Sequence, residues 1–320
     1  MIEVMCFAEG VIDFFPQEGD ALYPSFSAFP GGAGINVAVA LARLGVRSGF
    51  MGKVGQDAFG ELVKETLQRE GVDTRGLFLD PGESTALTFV FHHPVTLEPF
   101  FVRYGEADMN FTLQDISWEL LEEIGVFHCV SLGLVRESLR SATLEILEFC
   151  KERDIFVSFD LNHRPRLWSD LQEARYFLWK VVREADLVKL NREELRFLTQ
   201  QDTLTAGVEV LLGEGIRNGV ITLGGRGAFM VNRFAQETIP AFTISPVDLT
   251  GCGDAFCAGM IHQVVTNRFP RGMIFPPDQF CQMVTFASAC GAIAATRWGT
   301  VPSFPFLREA EEFLAKSGGF

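Results

Sequence analysis

An α/β fold built on a mainly parallel sheet is what this sequence predicts, and three observations carry the prediction. Short apolar runs alternate with stretches of helical periodicity along most of the 320 residues, the pattern of successive βαβ units. Hydrophobic residues make up 48% of the chain, enough to bury the core of one large α/β domain or of two smaller ones. Two glycine turns, one near the start and one in the last third, run straight into apolar helical stretches.

In chain order, Val4 to Phe7 reads as the first strand. Val37, Ala40, Leu41 and Leu44 then recur at i, i+3, i+4 and i+7, with Asn36 placed to cap that helix and Gly45 to end it. Ala58 to Arg69 following Asp57, and later Leu139 to Lys151, read as further helices. Val126 to Leu132, Ile155 to Phe159, Leu187 to Leu190 and Val220 to Leu223 read as strands. Phe14 to Phe29 and Thr85 to Val102 break the alternation, because they combine Pro16, Pro24, Pro94 and Pro99 with aromatic runs such as Phe89-Val90-Phe91. They are β excursions that either pair into a small sheet over the active face, as a lid would, or form two surface hairpins. Trp118, Trp179 and most of the 31 Phe are assigned to the core.

Composition narrows the function. The formal charge of −14, from 41 acidic against 27 basic side chains, opposes nonspecific attraction to nucleic acid or anionic membranes. Seven cysteines, odd in number, widely spaced and without a CxxC pair, suggest reduced thiols in a cytoplasm. No basic region precedes the first apolar residues, and no apolar run approaches a membrane span. A soluble cytoplasmic protein is expected.

Asp248-Leu249-Thr250-Gly251-Cys252-Gly253-Asp254-Ala255-Phe256 has the make-up of a phosphoryl-transfer site. Glycines without Cβ let backbone amides crowd an anion, the helix beginning near Asp254 adds its positive end, and Asp254 would face an acceptor hydroxyl and take its proton. Asp and Gly also start ordinary helices, so the segment alone leaves both readings open. Gly31-Gly32-Ala33-Gly34-Ile35-Asn36 is the second such turn, ending in an amide that suits sugar hydroxyls and equally suits a cap. There is no GxxxxGK[ST], and no GxGxxG after the first strand, which argues against a Walker NTPase and a dinucleotide dehydrogenase.

Taken together, GGAGINVA at 31–38 and DLTGCGDAF at 248–256 resemble the two signature motifs of the ribokinase-like (pfkB) carbohydrate kinases. Lys189-Leu190-Asn191-Arg192-Glu193-Glu194 is similar to that family's NxxE element, and Ile221-Thr222-Leu223-Gly224-Gly225-Arg226-Gly227 to its glycine loop beside ATP. The resemblance runs from Cys6-Phe7-Ala8-Glu9 to Ala295-Thr296-Arg297-Trp298-Gly299-Thr300. It implies a single domain over 1–320, a three-layer α/β/α sandwich with a small β-sheet lid inserted at about 14–30 and 85–103. It implies Asp254 as catalytic base and the amides of Gly251, Cys252 and Gly253 as the anion hole. Asp13, Gly32, Gly34 and Asn36 then grip the sugar; Lys189, Asn191, Thr222, Gly224 and Gly227 hold ATP. Glu194 would organise Mg²⁺ through water, and Asp248 and Thr250 fall where some relatives support a monovalent cation such as K⁺.

Two departures stand out: Cys252 replaces the usual Ala of GAGD, and Ala33-Gly34-Ile35 replaces the Ala-Pro-Ala of many fructokinases. Arg103-Tyr104-Gly105-Glu106-Ala107-Asp108-Met109 and Asp160-Leu161-Asn162-His163-Arg164-Pro165-Arg166-Leu167-Trp168 are similar to fructokinase elements, which implies 6-phosphorylation of fructose. Kinases of 2-keto-3-deoxygluconate place arginines at similar points, so Arg103 and Arg164 would also suit a carboxylate. Arg166 is read as a solvated surface charge. The expected activity is therefore an ATP- and Mg²⁺-dependent fructokinase, dimeric through its lids. The alternatives are a 2-keto-3-deoxygluconate kinase and a noncatalytic nucleotide- or sugar-binding relative.

Overall fold

The computed structural model describes residues 2–17, 25–92 and 99–318, the side chains of 91, 92 and 99–103 excepted. The chain enters the main sheet with β1 (Val4–Phe7), leaves it for β2 (Val11–Pro16) and β3 (Phe26–Gly31), and returns through α1 (Ala33–Arg43) to β4 (Ser48–Gly55). After α2 (Ala58–Arg69) and β5 (Asp73–Asp80) comes a second departure, β6 (Ala86–His92) and β7 (Pro99–Tyr104). The short α3 (Trp118–Leu121) leads into β8 (Val126–Val130), α4 (Glu137–Glu152), β9 (Phe156–Asp160), α5 (Leu171–Glu184) and β10 (Leu187–Asn191). Helices α6 (Arg192–Thr199) and α7 (Leu204–Gly213) precede β11 (Asn218–Thr222), β12 (Ala228–Val231) and β13 (Gln236–Ile239). The chain closes with α8 (Cys252–Asn267), α9 (Pro277–Ala295) and α10 (Leu307–Lys316).

Among the described residues the main sheet runs β13-β12-β11-β10-β9-β8-β1-β4-β5. It is parallel from β5 to β11, and the β11–β12 and β12–β13 pairings are antiparallel. Strands covered on both faces have no polar side to present, which is why Val126–Val130 and Phe156–Asp160 are buried at every position. Apolar side chains of α1, α2, α8, α9 and α10 form the core on one face of the sheet. Those of α4, α5, α6 and α7 form it on the other, giving three layers.

The two excursions do pair, into a separate sheet ordered β3-β2-β6-β7. Period-two alternation splits this sheet by chemistry. Val11, Asp13 and Thr88 turn toward a cavity, while Phe14 stacks on Phe89 at 4.9 Å and packs edge-on against Phe59 of α2 at 5.8 Å.

Three sequence expectations shift. Helix α1 begins at Ala33 with Gly32 as its cap, so Asn36 lies in the first turn and caps nothing. Gly32 has φ 95°, a conformation that favours glycine, and no side chain of its own to accept the first amides. Helix α8 starts at Cys252, two residues before Asp254. Trp118 is 37% exposed and leans on Phe149 at 5.2 Å instead of entering the core. No helix among the described residues is long and apolar enough to cross a membrane.

Candidate active site

A cavity of about 470 Å³ opens at the carboxyl ends of β1 and β9, roofed by β2 and β6, and the helices α1 and α8 both begin at it. Crevices at the carboxyl ends of parallel strands are where α/β folds place ligands. Asp13, Gly32, Asn36, Arg164, Thr250, Gly251 and Asp254, seven of the residues singled out from sequence, line it together.

Local chemistry explains how α8 presents its start. Gly251 is left-handed at φ 77°, and a Cβ there would come within 3.0 Å of the Phe304 ring. The preceding loop is tied down by Asp248, whose Oδ1 accepts from the Thr250 amide (2.9 Å) and hydroxyl (2.8 Å) and whose Oδ2 accepts from the Gly299 amide (3.0 Å). The amides of Gly253 and Asp254 fall in the first turn, which has no acceptor inside the helix, so the turn is predisposed to an anion. Cys252 contributes backbone here, and its thiol points back toward the Asp248 carbonyl.

The two glycine turns are joined by one hydrogen bond, Asn36 Nδ2 donating to Asp254 Oδ2 at 2.8 Å. Asn36 lines the same cavity, and its Oδ1 is buried with no hydrogen-bond partner. Burial pushes the Asp254 carboxyl up to about 7, against the pull of the Lys189 charge and of the Asn36 bond. A carboxylate poised near neutrality, with its second oxygen not held by Asn36, can accept a proton at physiological pH.

Lys189 is buried behind this turn and donates to Asp160 Oδ2 at 2.7 Å. Burial works against its charge more than any single neighbour works for it, yet the charge and hydrogen bond of Asp160, with other neighbours such as Glu194 adding to them, lift the lysine pKa. A Cβ on Gly253 would lie 2.9 Å from Nζ, so the ammonium sits directly against the start of α8. Asn191 and Glu194 form a capping box: Asn191 Oδ1 accepts from the Glu194 amide at 2.9 Å and Glu194 Oε2 from the Asn191 amide at 2.7 Å. Glu194 Oε1 also accepts from the His163 amide at 2.9 Å. Register sets Asn191 beside Thr222 at the ends of β10 and β11. Gly224 and Gly227 follow with φ 60° and 99°, and a Cβ on Gly227 would collide with the Ile239 carbonyl at 2.0 Å. These residues make a shelf next to the cavity and outside its lining.

Gly34 lies in the first turn of α1 beneath the Phe50 ring, which a Cβ would meet at 3.0 Å, and is a packing position outside the cavity lining. Arg103 pairs by backbone with Thr88, and its side chain lies outside the described residues. Arg164 and Arg166 are exposed at the rim, and the Arg164 charge reaches Asp254. Sequence reasoning missed Glu9, Thr88 and Asn162, which also line the cavity. The signal for Asn162 was available in Asp160-Leu161-Asn162, since Asp160 Oδ1 accepts the Asn162 amide at 3.1 Å. Among the described residues no group of three or more His, Cys, Asp and Glu could hold a metal.

Over residues 1–307 the chain matches the pfkB family of carbohydrate kinases. It is 35% identical over 319 residues to Fructokinase-1 of Zea mays, covering 98% of each. The crystal structure of fructokinase with bound ATP from Xylella fastidiosa is similar with a TM-score of 0.90 at 29% identity, covering 99% of both chains. That of fructokinase from Vibrio cholerae O395 in its fructose, ADP and calcium ion bound form gives 0.87 at 32% identity, over 98% of this chain and 99% of that one. Fold, paired glycine turns and full-length matches agree: the chain belongs to the pfkB family of carbohydrate kinases.

Proposed function

We propose that the protein is an ATP-dependent fructokinase that transfers the γ-phosphoryl group to the 6-hydroxyl of fructose. The observation that carries this reading is the Asn36 to Asp254 hydrogen bond, which places an available acceptor and a near-neutral carboxylate side by side in one cavity. Relatives named as fructokinases, one of them with fructose and ADP bound, support fructose as the acceptor.

In the proposed reaction Asp13 and Asn36 hold the sugar hydroxyls, and Asp254 accepts the proton of the attacking hydroxyl. The hydroxyl oxygen bonds to the γ-phosphorus as the bond from that phosphorus to the bridging oxygen breaks, and ADP leaves. The amides of Gly251, Cys252 and Gly253, backed by the Lys189 ammonium, take up charge on the transferred group. Thr222, Gly224 and Gly227 bound the shelf on which the nucleotide would lie, with Asn191 at its edge. Movement of the small sheet over the cavity would exclude water, whose attack would waste ATP.

Mg²⁺, bound with the nucleotide, would supply neutralisation of phosphate charge. The donor set fits an ion carried on phosphates and reached through water: both Glu194 oxygens already accept backbone amides, leaving them suited to orient a water. Asp248 and Thr250 are proposed for K⁺ in a modulatory role, because their loop already closes on its own hydrogen bonds.

A coupled ADP-release assay across fructose, ribose, glucose, adenosine and 2-keto-3-deoxygluconate tests the assignment. Fructose should give the highest kcat/KM. Preference for the keto acid would move the protein to that class, and ADP release with none of them would favour a noncatalytic relative.

A further inference from the structure

His163 lines the cavity, yet the reaction above gives its side chain no part. Its backbone is fixed on both sides. Asn162 turns through the left-handed region at φ 34°, its amide donating to Asp160 Oδ1 at 3.1 Å and its carbonyl accepting from Ser131 Oγ at 3.1 Å. The His163 amide donates to Glu194 Oε1 at 2.9 Å. The ring is held differently, lying on the Phe197 ring at 4.1 Å with 19° between the planes. Phe197 follows Glu194 by about one turn of α6 and is itself clamped, since Arg175 Nε donates to its carbonyl at 3.1 Å and the guanidinium lies over its ring at 5.1 Å. Helix α6 therefore grips His163 by amide and by ring. No hydrogen bond holds the imidazole: both ring nitrogens are buried with no partner among the described residues, in a residue only 7% exposed.

Burial, with the Arg164 charge adding to it, pushes the His163 pKa down to about 4. At physiological pH the ring is neutral, with one N–H to donate and one nitrogen to accept. Leaving both unmade opposes folding, and a fold keeps such a group where something else completes it. The ring can answer a ligand without leaving its stack, because a half-turn about Cβ–Cγ exchanges its nitrogen and carbon edges in place. We propose that His163 is a specificity-determining residue whose imidazole turns on the Phe197 stack to hydrogen-bond a hydroxyl of the sugar other than the one phosphorylated. The inference rests on the kinase reading above and adds a contact to its acceptor. A neutral imidazole suits a hydroxyl, which both gives and takes a hydrogen bond. An acceptor lacking that hydroxyl leaves the buried nitrogens unpaired, the kind of loss by which sites reject close analogues. Because Glu194 and Phe197 belong to the helix that Asn191 caps, the nucleotide-side element sets where this sugar contact falls.

The test follows the ring nitrogens of the five histidines by NMR in isotopically labelled wild type titrated with fructose in the presence of ADP. The His163 signals are assigned by their absence from His163→Gln, and saturating fructose should shift them. In steady-state kinetics His163→Leu should raise KM for fructose about tenfold and leave KM for ATP within about twofold of wild type. His163→Gln, which keeps a donor and an acceptor, should recover part of that loss. A merely structural histidine predicts the reverse, a raised unfolding midpoint once the unpaired polar group is gone and an unchanged KM. Ring nitrogens unmoved by saturating acceptor, or a fructose KM within about twofold of wild type in folded His163→Leu, overturn the proposal. Should the leucine variant fail to fold, the labelled wild type decides. Whether the wild type turns fructose over tests the function; whether the acceptor it does turn over moves the His163 nitrogens tests His163.

Discussion

Asp254 carries opposing demands. Its burial, which lifts its pKa to about 7, makes it a competent proton acceptor and at the same time a cost to the fold. For a carboxyl raised above its ordinary value, the associated stabilisation is present below about 3.8 and is lost as pH rises through about 7. Asp254→Asn should therefore lower kcat by roughly 10²- to 10⁴-fold. It should also raise stability at pH 8 by on the order of 2–4 kcal/mol, with roughly a third of that gain at pH 5. In the wild type, kcat/KM should fall about tenfold per unit below pH 7, because the protonated carboxyl cannot accept. Denaturant unfolding at both pH values, beside a pH–rate profile, checks the pair. A variant that keeps near wild-type turnover contradicts the proposed role.

At the scale of elements, the helix starts explain what could be read from sequence and what could not. Asp57 was legible as the start of α2, and its Oδ1 accepts from the amides of Phe59 and Gly60 at 3.0 and 2.8 Å. What its spacing did not show is that Oδ2 also accepts from the Thr85 amide at 2.8 Å, fastening α2 to the start of β6. Burial would raise the Asp57 pKa, but the bonds from Thr85, Gly60 and Phe59 hold it below the usual carboxylate value. Asp57→Ala should destabilise by about 1–2 kcal/mol, seen as a lowered unfolding midpoint. An unchanged midpoint would contradict the cap. Asn36 shows the limit: the motif marked it, but its partner Asp254 lies 218 residues away and its helix is served by Glu9. Local pattern records neither contact. The NxxE element was legible only through its family resemblance, and the hydrogen bonds display it as a capping box.

For the whole molecule, the alternation of strands and helices made the layered fold legible, since each parallel strand must be apolar on both sides. The small sheet's pairing was left open because β2 meets β6 across some seventy residues of chain, with parallel register Asp13 to Thr88. Its face away from the cavity carries Phe89, which meets Phe14, Phe26 and the 63% exposed Tyr104. We propose that this aromatic face joins two copies of the chain, as such patches favour association. Light scattering at micromolar concentration should give twice the 35.5 kDa chain mass, and Phe89→Lys should return it to one. A monomeric wild type contradicts this.

The central claim, transfer from ATP to a sugar hydroxyl oriented between Asn36 and Asp254, is tested most directly by following wild-type protein with ATP, Mg²⁺ and fructose by phosphorus NMR. Fructose 6-phosphate should appear one for one with ADP, with almost no inorganic phosphate. Inorganic phosphate as the main product, or no phosphate ester at all, would contradict it.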